Sequence, residues 1–457
     1  MMNRYSIKND VYPLVKLAVP LALTGLVQSA TWFCETMFLA HVNEETLAAG
    51  ALVSWLFATL AVILFGTMSS INILVAHKHG EKDVEGIEQV SHDGILLAIL
   101  ITVPFIILFW NMSPIFQFFG QPERVSELAR LYLHALSWGL LANFISIACL
   151  EVFIGLGHTR FIFGFSIIET VLNIACSYTL IFGKFGFPAL GIAGAGWGLT
   201  FSYIGKLLIL SLYIAMHKEY RKYFRHTFSF TATVYLFELL KVGVPMGLMF
   251  SVEVAFFFAL TLAMGLLGAD MMAANQVTVQ YLGLMMSMIF TVAQAITVRM
   301  GHLLGAQKID AAKKAGEVGV LMAAAFMCLI AIIYWVKPLP LISLAFDVNN
   351  PAKTNIVDAI KSFLAIAAIF QIVEAARIAL FGVLRSLKDT RFTLLTSIIS
   401  FWCIALPGGY FLAMKLHFGG NGYWWAMVMG AGVSVMLLQW RFSKKISRYL
   451  TLHSSMT

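Results

Sequence analysis

Residues 241–268 read KVGVPMGLMFSVEVAFFFALTLAMGLLG, an apolar run that after its opening lysine holds a single charge, Glu253. About 20 such residues cross the hydrocarbon core of a bilayer as a helix. No water satisfies peptide groups at that depth, so only helices and closed barrels can span it. All but the last residue of this run falls in an apolar segment at 234–267, and eleven more occur at 11–40, 47–76, 94–114, 131–156, 161–182, 189–216, 271–298, 316–336, 356–384, 392–414 and 422–440. The pattern predicts an all-α integral membrane protein with twelve transmembrane helices. Composition agrees, since 60% of the 457 residues are hydrophobic and 12% charged, about half the charged share of a soluble domain.

The formal net charge of +8 does not indicate nucleic-acid binding, because the 31 basic residues collect in the loops between spans rather than on one stripe. Lys218, Arg221, Lys222, Arg225, Lys313, Lys314, Arg441 and Arg448 fall on one side, whereas Arg124, Lys184 and Lys415 fall on the sparser other side. The positive-inside rule then predicts a multi-pass protein of the inner (cytoplasmic) membrane with both termini in the cytoplasm. The first apolar run exceeds signal-peptide length and reads as a retained span.

The chain also repeats itself. KLAVPLAL at Lys16 returns as KVGVPMGL at Lys241, and at the same offset Ala48–Ala49 matches Ala273–Ala274 and HKHG at His77 matches HLLG at His302. Thr159–Arg160–Phe161 matches Thr390–Arg391–Phe392 at a slightly larger offset. Six spans in each half give both the same orientation, the parallel kind of repeat, whose interface is where a substrate site is expected. The predicted division is an N-lobe at 1–216, a linker at 217–233, a C-lobe at 234–442 and a cytoplasmic tail at 443–457. Pro20 and Pro245 sit at equivalent places in the first helix of each lobe. Each removes a helical hydrogen bond and permits a bend, either a hinge or a static kink. Gly194 and Gly198 have the small-xxx-small spacing that lets helices approach closely in lipid.

Acids at membrane depth are costly and default to proton or cation relays. Glu35, Glu253 and Glu374 lie within spans, and Glu151 and Glu169 lie nearer the cytoplasmic ends of theirs. Arg377 follows Glu374 by three residues, so the two share a helix face. The pair is either a fixed internal ion pair or a titratable carboxyl with a neighbour. Lys206 is placed as a structural partner for Glu151 or Glu169. Asn173 is in reach of a neighbouring acid or of a plain interhelical bond. Trp32 and Phe33 beside Glu35 join an aromatic wall to a carboxylate, a combination that attracts lipophilic cations. Met249 and Phe256 belong to an adaptable Met- and Phe-rich surface, either core or ligand pocket.

Soluble chemistry is not encoded. There is no GxxxxGK[ST] phosphate loop, HExxH, GxSxG or Cys/His metal cluster, which argues against ATP hydrolysis, an enzymatic role or a resident cofactor. The five cysteines match no disulfide or metal framework and read as free thiols in the core. Repeats, buried acids and no nucleotide site point to an ion-driven secondary transporter.

The order and spacing of KLAVP, LAAG, GVPMGLMFSVEV, LGADMMAANQV, VRMGHLLGAQ, QIVEAARIALFGVLRSLKDTRF and LIFGKFGFPALGIAGAGWG resemble the MATE (multidrug and toxic compound extrusion) family, of the NorM-like kind. The resemblance runs from about Lys16 to Trp440. It implies two six-helix lobes in a V and export of lipophilic cationic drugs or dyes in exchange for H⁺ or Na⁺ by a monomer in lipid. By position, Glu253 and Glu374 match the family's C-lobe cation site, where Na⁺ is one candidate. Glu35 matches the N-lobe acid, usually Asp, and Asn173 a polar position of the fifth helix. Phe370 stands where relatives often have a cation-contacting Tyr, and Arg377 is unusual so near the acid. The fifth helix lacks the second N-lobe Asp found in DinF-like members and offers Glu169 one turn earlier. The alternative is a flippase of the same superfamily for lipid-linked anionic sugars, which should line its cavity with basic residues.

Overall fold

The computed structural model of the chain describes residues 4–225, 233–344 and 353–454, with side chains within 11–451. Residues 226–232 of the predicted linker and 455–457 of the predicted tail lie outside the described residues. Twelve long helices run in chain order: α1 Arg4–Ala40, α2 Glu44–Glu81, α3 Val84–Trp110, α4 Glu123–Gly155, α5 Thr159–Phe182, α6 Ile192–Met216, α7 Leu236–Gly265, α8 Ala269–Gly305, α9 Ile309–Val336, α10 Thr354–Ser386, α11 Thr390–Lys415 and α12 Gly420–Ser454. Among the described residues, α1 to α11 are long and apolar enough to cross a membrane. The predicted twelfth span is the first part of α12, which runs on so that the tail is helical as far as Ser454.

Local chemistry sets the boundaries. Asn43 and Asp83 accept the Thr46 and Gly86 amides at 2.7 and 2.8 Å, capping the starts of α2 and α3. The Gly86 amide and Lys78 hold the half-buried Asp83 carboxyl below its ordinary range. The repeat read from sequence is also present in the backbone. After HKHG and HLLG the chain turns through Lys82 and Gln307 at φ 61° and 59°, and before the two Thr–Arg–Phe matches it turns through Gly157 and Lys388 at φ 83° and 55°. Three of these four are not glycine, and such left-handed residues are uncommon. Their recurrence at equivalent positions is a further mark of duplication.

The chain divides into two compact units, and the boundaries differ from the predicted 1–216 and 234–442. One unit is Val19–Gly243, and the other comprises the chain up to Ala18 together with everything from Val244 on. Each division falls one residue before Pro20 or Pro245, so the start of α1 belongs with the second half and the start of α7 with the first. Both helices remain continuous through their prolines, and Thr24 donates to the carbonyl of Pro20 at 3.0 Å.

In the first unit α4 is the most enclosed span, and in the second it is α10, again the fourth of its half. Small residues let the neighbours close in. A side chain at Gly194 or Gly198 would meet the backbone of Leu180 or Ser177 on α5, as the small-xxx-small spacing predicted. Polar groups bond across helices where backbones approach. Thr200 donates to Ala135 of α4 at 2.7 Å, and Thr297 to Gly382 of α10 at 2.9 Å. The cysteines are free, but only Cys149 is buried; Cys34 and Cys176 are half-buried and Cys328 and Cys403 exposed, against the sequence expectation.

Candidate functional site

Each unit holds its own polar group within apolar packing. In the first unit the carboxyl of Glu35, on α1, is buried at 4% exposure. Asn173 and Ser177 from α5 and Tyr132 from α4 surround it. Even so, among the described residues Oε1 of Glu35, Oδ1 of Asn173 and Oγ of Ser177 have no partner at hydrogen-bond geometry. Residues 173 and 177 are one helical turn apart and therefore share the face toward α1. A cavity of about 10 Å³ lies alongside, lined by Trp32, Val53, Phe57, Tyr132, Leu136 and Tyr203 among others, room for about one water. Trp32 packs on Phe57 with ring centroids 5.9 Å apart, while Phe33 is 63% exposed. Among the described residues no cation is bonded to Glu35.

Lys206, a buried cation of this unit, is engaged elsewhere. Lys206 donates to Glu169 at 2.7 Å and to Asn143 at 3.1 Å. Of the two partners offered by sequence the structure selects Glu169. Glu151 instead accepts from Asn72 of α2 at 2.6 Å.

In the second unit Arg377 gathers both acids. On α10 its Nε and Nη2 form a two-toothed clamp on Glu374, with Nε to Oε2 at 2.7 Å. Its Nη1 donates to Oε1 of Glu253 on α7 at 2.8 Å. Ser397 of α11 donates to that same oxygen at 2.8 Å. The rings of Phe381 and Phe401 lie 4.5 and 4.7 Å from the guanidinium carbon. Directly after Ser397 the helix widens into a π-turn over Ile398–Ala405, an irregularity common at functional positions. The cluster is fully buried, with two formal negative charges held on one positive charge. A guanidinium thus stands between the carboxylates that the sequence offered as a site for a shared Na⁺.

Met249, Phe256 and Phe370, candidates for a substrate cavity, are packed within the core of this unit. Phe256 stacks on Phe401 at 4.7 Å and Phe370 meets Trp424 edge-on at 6.2 Å. An opening of about 730 Å³ elsewhere in the unit is lined by Asp270, Asp358, Ser362, Phe363, His417 and Asn421 among others, and contains none of the predicted residues. Among the described residues no three His, Cys, Asp or Glu side chains are placed to hold a metal ion.

Sequence reasoning missed Ser397, Ser177, Tyr132 and Phe401. Each is a common residue in an apolar helix, and only the neighbour across the helix interface gives it meaning. It also missed Asp93 of α3, fully buried, whose Oδ2 accepts the amides of Val234, Tyr235 and Leu236 at 2.9, 2.6 and 3.0 Å. That carboxylate caps the start of α7.

Two stretches, residues 20–179 and 245–411, match the MatE family. One copy begins at Pro20 and the other at Pro245. The chain is 30% identical over 445 residues to the Multidrug resistance protein NorM of Burkholderia vietnamiensis, covering 97% of this chain and 96% of that one. It is also 30% identical over 450 residues to the Probable multidrug resistance protein NorM of Brucella suis biovar 1, covering 97% and 95%. Its fold is similar to the Vibrio cholerae MATE transporter VcmN in the bent form, with a TM-score of 0.88 at 16% identity over 98% and 99% of the two chains. It is likewise similar to the eukaryotic MATE transporter AtDTX14, with a TM-score of 0.80 at 19% identity over 97% and 98%. With two matched repeats, relatives aligned along nearly the whole chain and the same helical architecture, this membrane protein belongs to the MATE family.

Proposed function

We propose that this chain is a multidrug efflux antiporter of the cytoplasmic membrane that exports lipophilic organic cations in exchange for protons, with both termini in the cytoplasm. The NorM relatives support multidrug efflux, and the basic loops favour that orientation. The observation that carries the proton assignment is the contrast between the two acidic groups. Among the described residues Glu35 is buried with no cation bonded to it, and its Oε1 and the nearby Asn173 Oδ1 have no hydrogen-bond partner. An intramembrane acid in that state is suited to exchanging a proton, or to meeting a cationic substrate beside Trp32. Glu253 and Glu374 are held by Arg377, and Na⁺ binding there would require the guanidinium to leave both. In this reading the C-terminal cluster shapes the lobe and Glu35 couples. The flippase alternative calls for several free basic groups lining its cavity, whereas Arg377 and Lys206 are both paired with acids and, among the described residues, Arg385 is the single buried cation with an unused donor edge.

Dye efflux from proteoliposomes, with a pH or a Na⁺ gradient imposed separately, tests this. The membrane potential must be clamped, because it supplies about 2.3 kcal/mol per charge per 100 mV. Efflux driven by the pH gradient and reduced at least about tenfold in Glu35→Gln, the scale of one lost catalytic interaction, is expected. Efflux that follows only the Na⁺ gradient, or full activity in Glu35→Gln, would sink the proposal.

A further inference from the structure

Arg385, one residue from the end of α10, is 6% exposed, yet its Nε and Nη2 donate to no hydrogen-bond acceptor among the described residues. A guanidinium stays charged under all physiological conditions, and burying one unpaired is unfavourable. The acceptors that would ordinarily take it are already engaged. Glu253 is bonded to Arg377 and Ser397. Asp389, the nearest acid in sequence, is held by Arg441 at 2.7 Å and by Lys445 at 3.3 Å. Of the carbonyls at the end of the helix, Val383 accepts from Ser386, Leu384 from the amides of Leu387 and Asp389, and Arg385 itself from Lys388. Two carboxylates and two guanidiniums thus enter this interior from α7 and α10, and both carboxylates settle on Arg377.

The geometry of what is left over is specific. Nε and Nη2 form one edge of the guanidinium, the same edge that Arg377 uses to clamp both oxygens of Glu374. At Arg385 that edge is unpartnered, and the ring of Phe250 lies 5.1 Å from the guanidinium carbon. Phe250 is itself braced edge-on by Phe290 at 5.6 Å. A two-pronged donor edge beside an aromatic ring fits a carboxylate attached to a flat aromatic body.

Resting on the efflux reading above, we propose that Arg385, with Phe250 and Phe290, forms a carboxylate-binding subsite of the C-terminal unit, which takes the acid group of zwitterionic aromatic substrates. The occupant's chemistry has two sources, a carboxylate on the transported molecule or a small free carboxylate from solution.

Rhodamine 110 and rhodamine 123 separate the first source, because they differ only in a free carboxylate against its methyl ester. Efflux of both is measured in proteoliposomes of the wild type, Arg385→Gln and Arg385→Lys; the lysine variant keeps the charge but lacks the fork. The rate ratio of rhodamine 110 to rhodamine 123 is expected to fall about tenfold in Arg385→Gln and by a smaller factor in Arg385→Lys, a tenfold change being about 1.4 kcal/mol. A ratio unchanged in both variants overturns the substrate assignment, since a structural or coupling role would slow the two dyes together. Sodium formate tests the second source on the purified protein. A formate-dependent rise in melting temperature present in the wild type and lost in Arg385→Gln supports the site by mass action even if neither dye is transported. Loss of transport of both dyes by the wild type sinks the efflux reading alone. No formate-dependent rise together with an unchanged dye ratio, or with no dye transport, overturns the subsite.

Discussion

Arg377 shows how much one buried side chain can determine. Its three nitrogens reach two acids from two helices, and its flat face lies near Phe381 and Phe401. Removing one member of a buried ion cluster costs about 3–5 kcal/mol, because the partner charges remain without compensation. Arg377→Met is therefore expected to lower the melting temperature of the detergent-purified protein sharply, and adding Glu253→Gln and Glu374→Gln is expected to recover most of the loss. A triple variant no more stable than Arg377→Met would show that the cluster's charges do not balance one another. The pairing of Arg377 with Glu374 was readable from their spacing of three. That Glu253 joins them was not, since it lies 124 positions away, and no local pattern connects α7 to α10. Glu35 is the reverse case. Its depth in a span marked it as unusual, but only the packing of α4 and α5 around it shows which groups it faces and that no cation is bonded to it.

At the scale of an element, α7 carries the longest argument. Its start is fixed by Asp93, whose single oxygen takes three successive amides, and its middle carries Glu253. Loss of a helix cap costs about 0.5–2 kcal/mol. Asp93→Ala should therefore speed hydrogen exchange of the amides at 234–240 by about 5–30-fold, the factor equivalent to 1–2 kcal/mol, with α2 amides unaffected. Exchange at the wild-type rate would mean that the cap contributes nothing. The helices themselves were legible because apolar runs of bilayer length admit no other structure. The π-turn in α11 was not, since nothing in IISFWCIA marks a widened helix until Ser397 and Phe401 are drawn onto neighbours from α7 and α10.

At the scale of the whole molecule, the two units divide one residue before Pro20 and one before Pro245. A proline lacks the amide that would bond one turn back, so the helix is easiest to bend there. If these are working hinges, Pro20→Ala and Pro245→Ala should each slow dye efflux several-fold without changing folding stability by more than about 1 kcal/mol. Wild-type turnover in both would leave only static kinks. The predicted lobes at 1–216 and 234–442 placed each first helix wholly in its own half. Connectivity suggested that division, whereas packing assigns the opening segment of each helix to the unit built mainly from the other half.

Sequence by itself determined the membrane as solvent, the number of long helices, the duplication and the depth of each charge, because hydrophobic length and repetition are properties of a chain read in order. Tertiary structure alone decided which charges meet across helices. It put Arg377 between two acids, matched Lys206 to Glu169, left Glu35 with no cation and Arg385 with an unused donor edge. In a medium without water an ionisable group is defined by its partners, and those partners come from helices that only packing brings together.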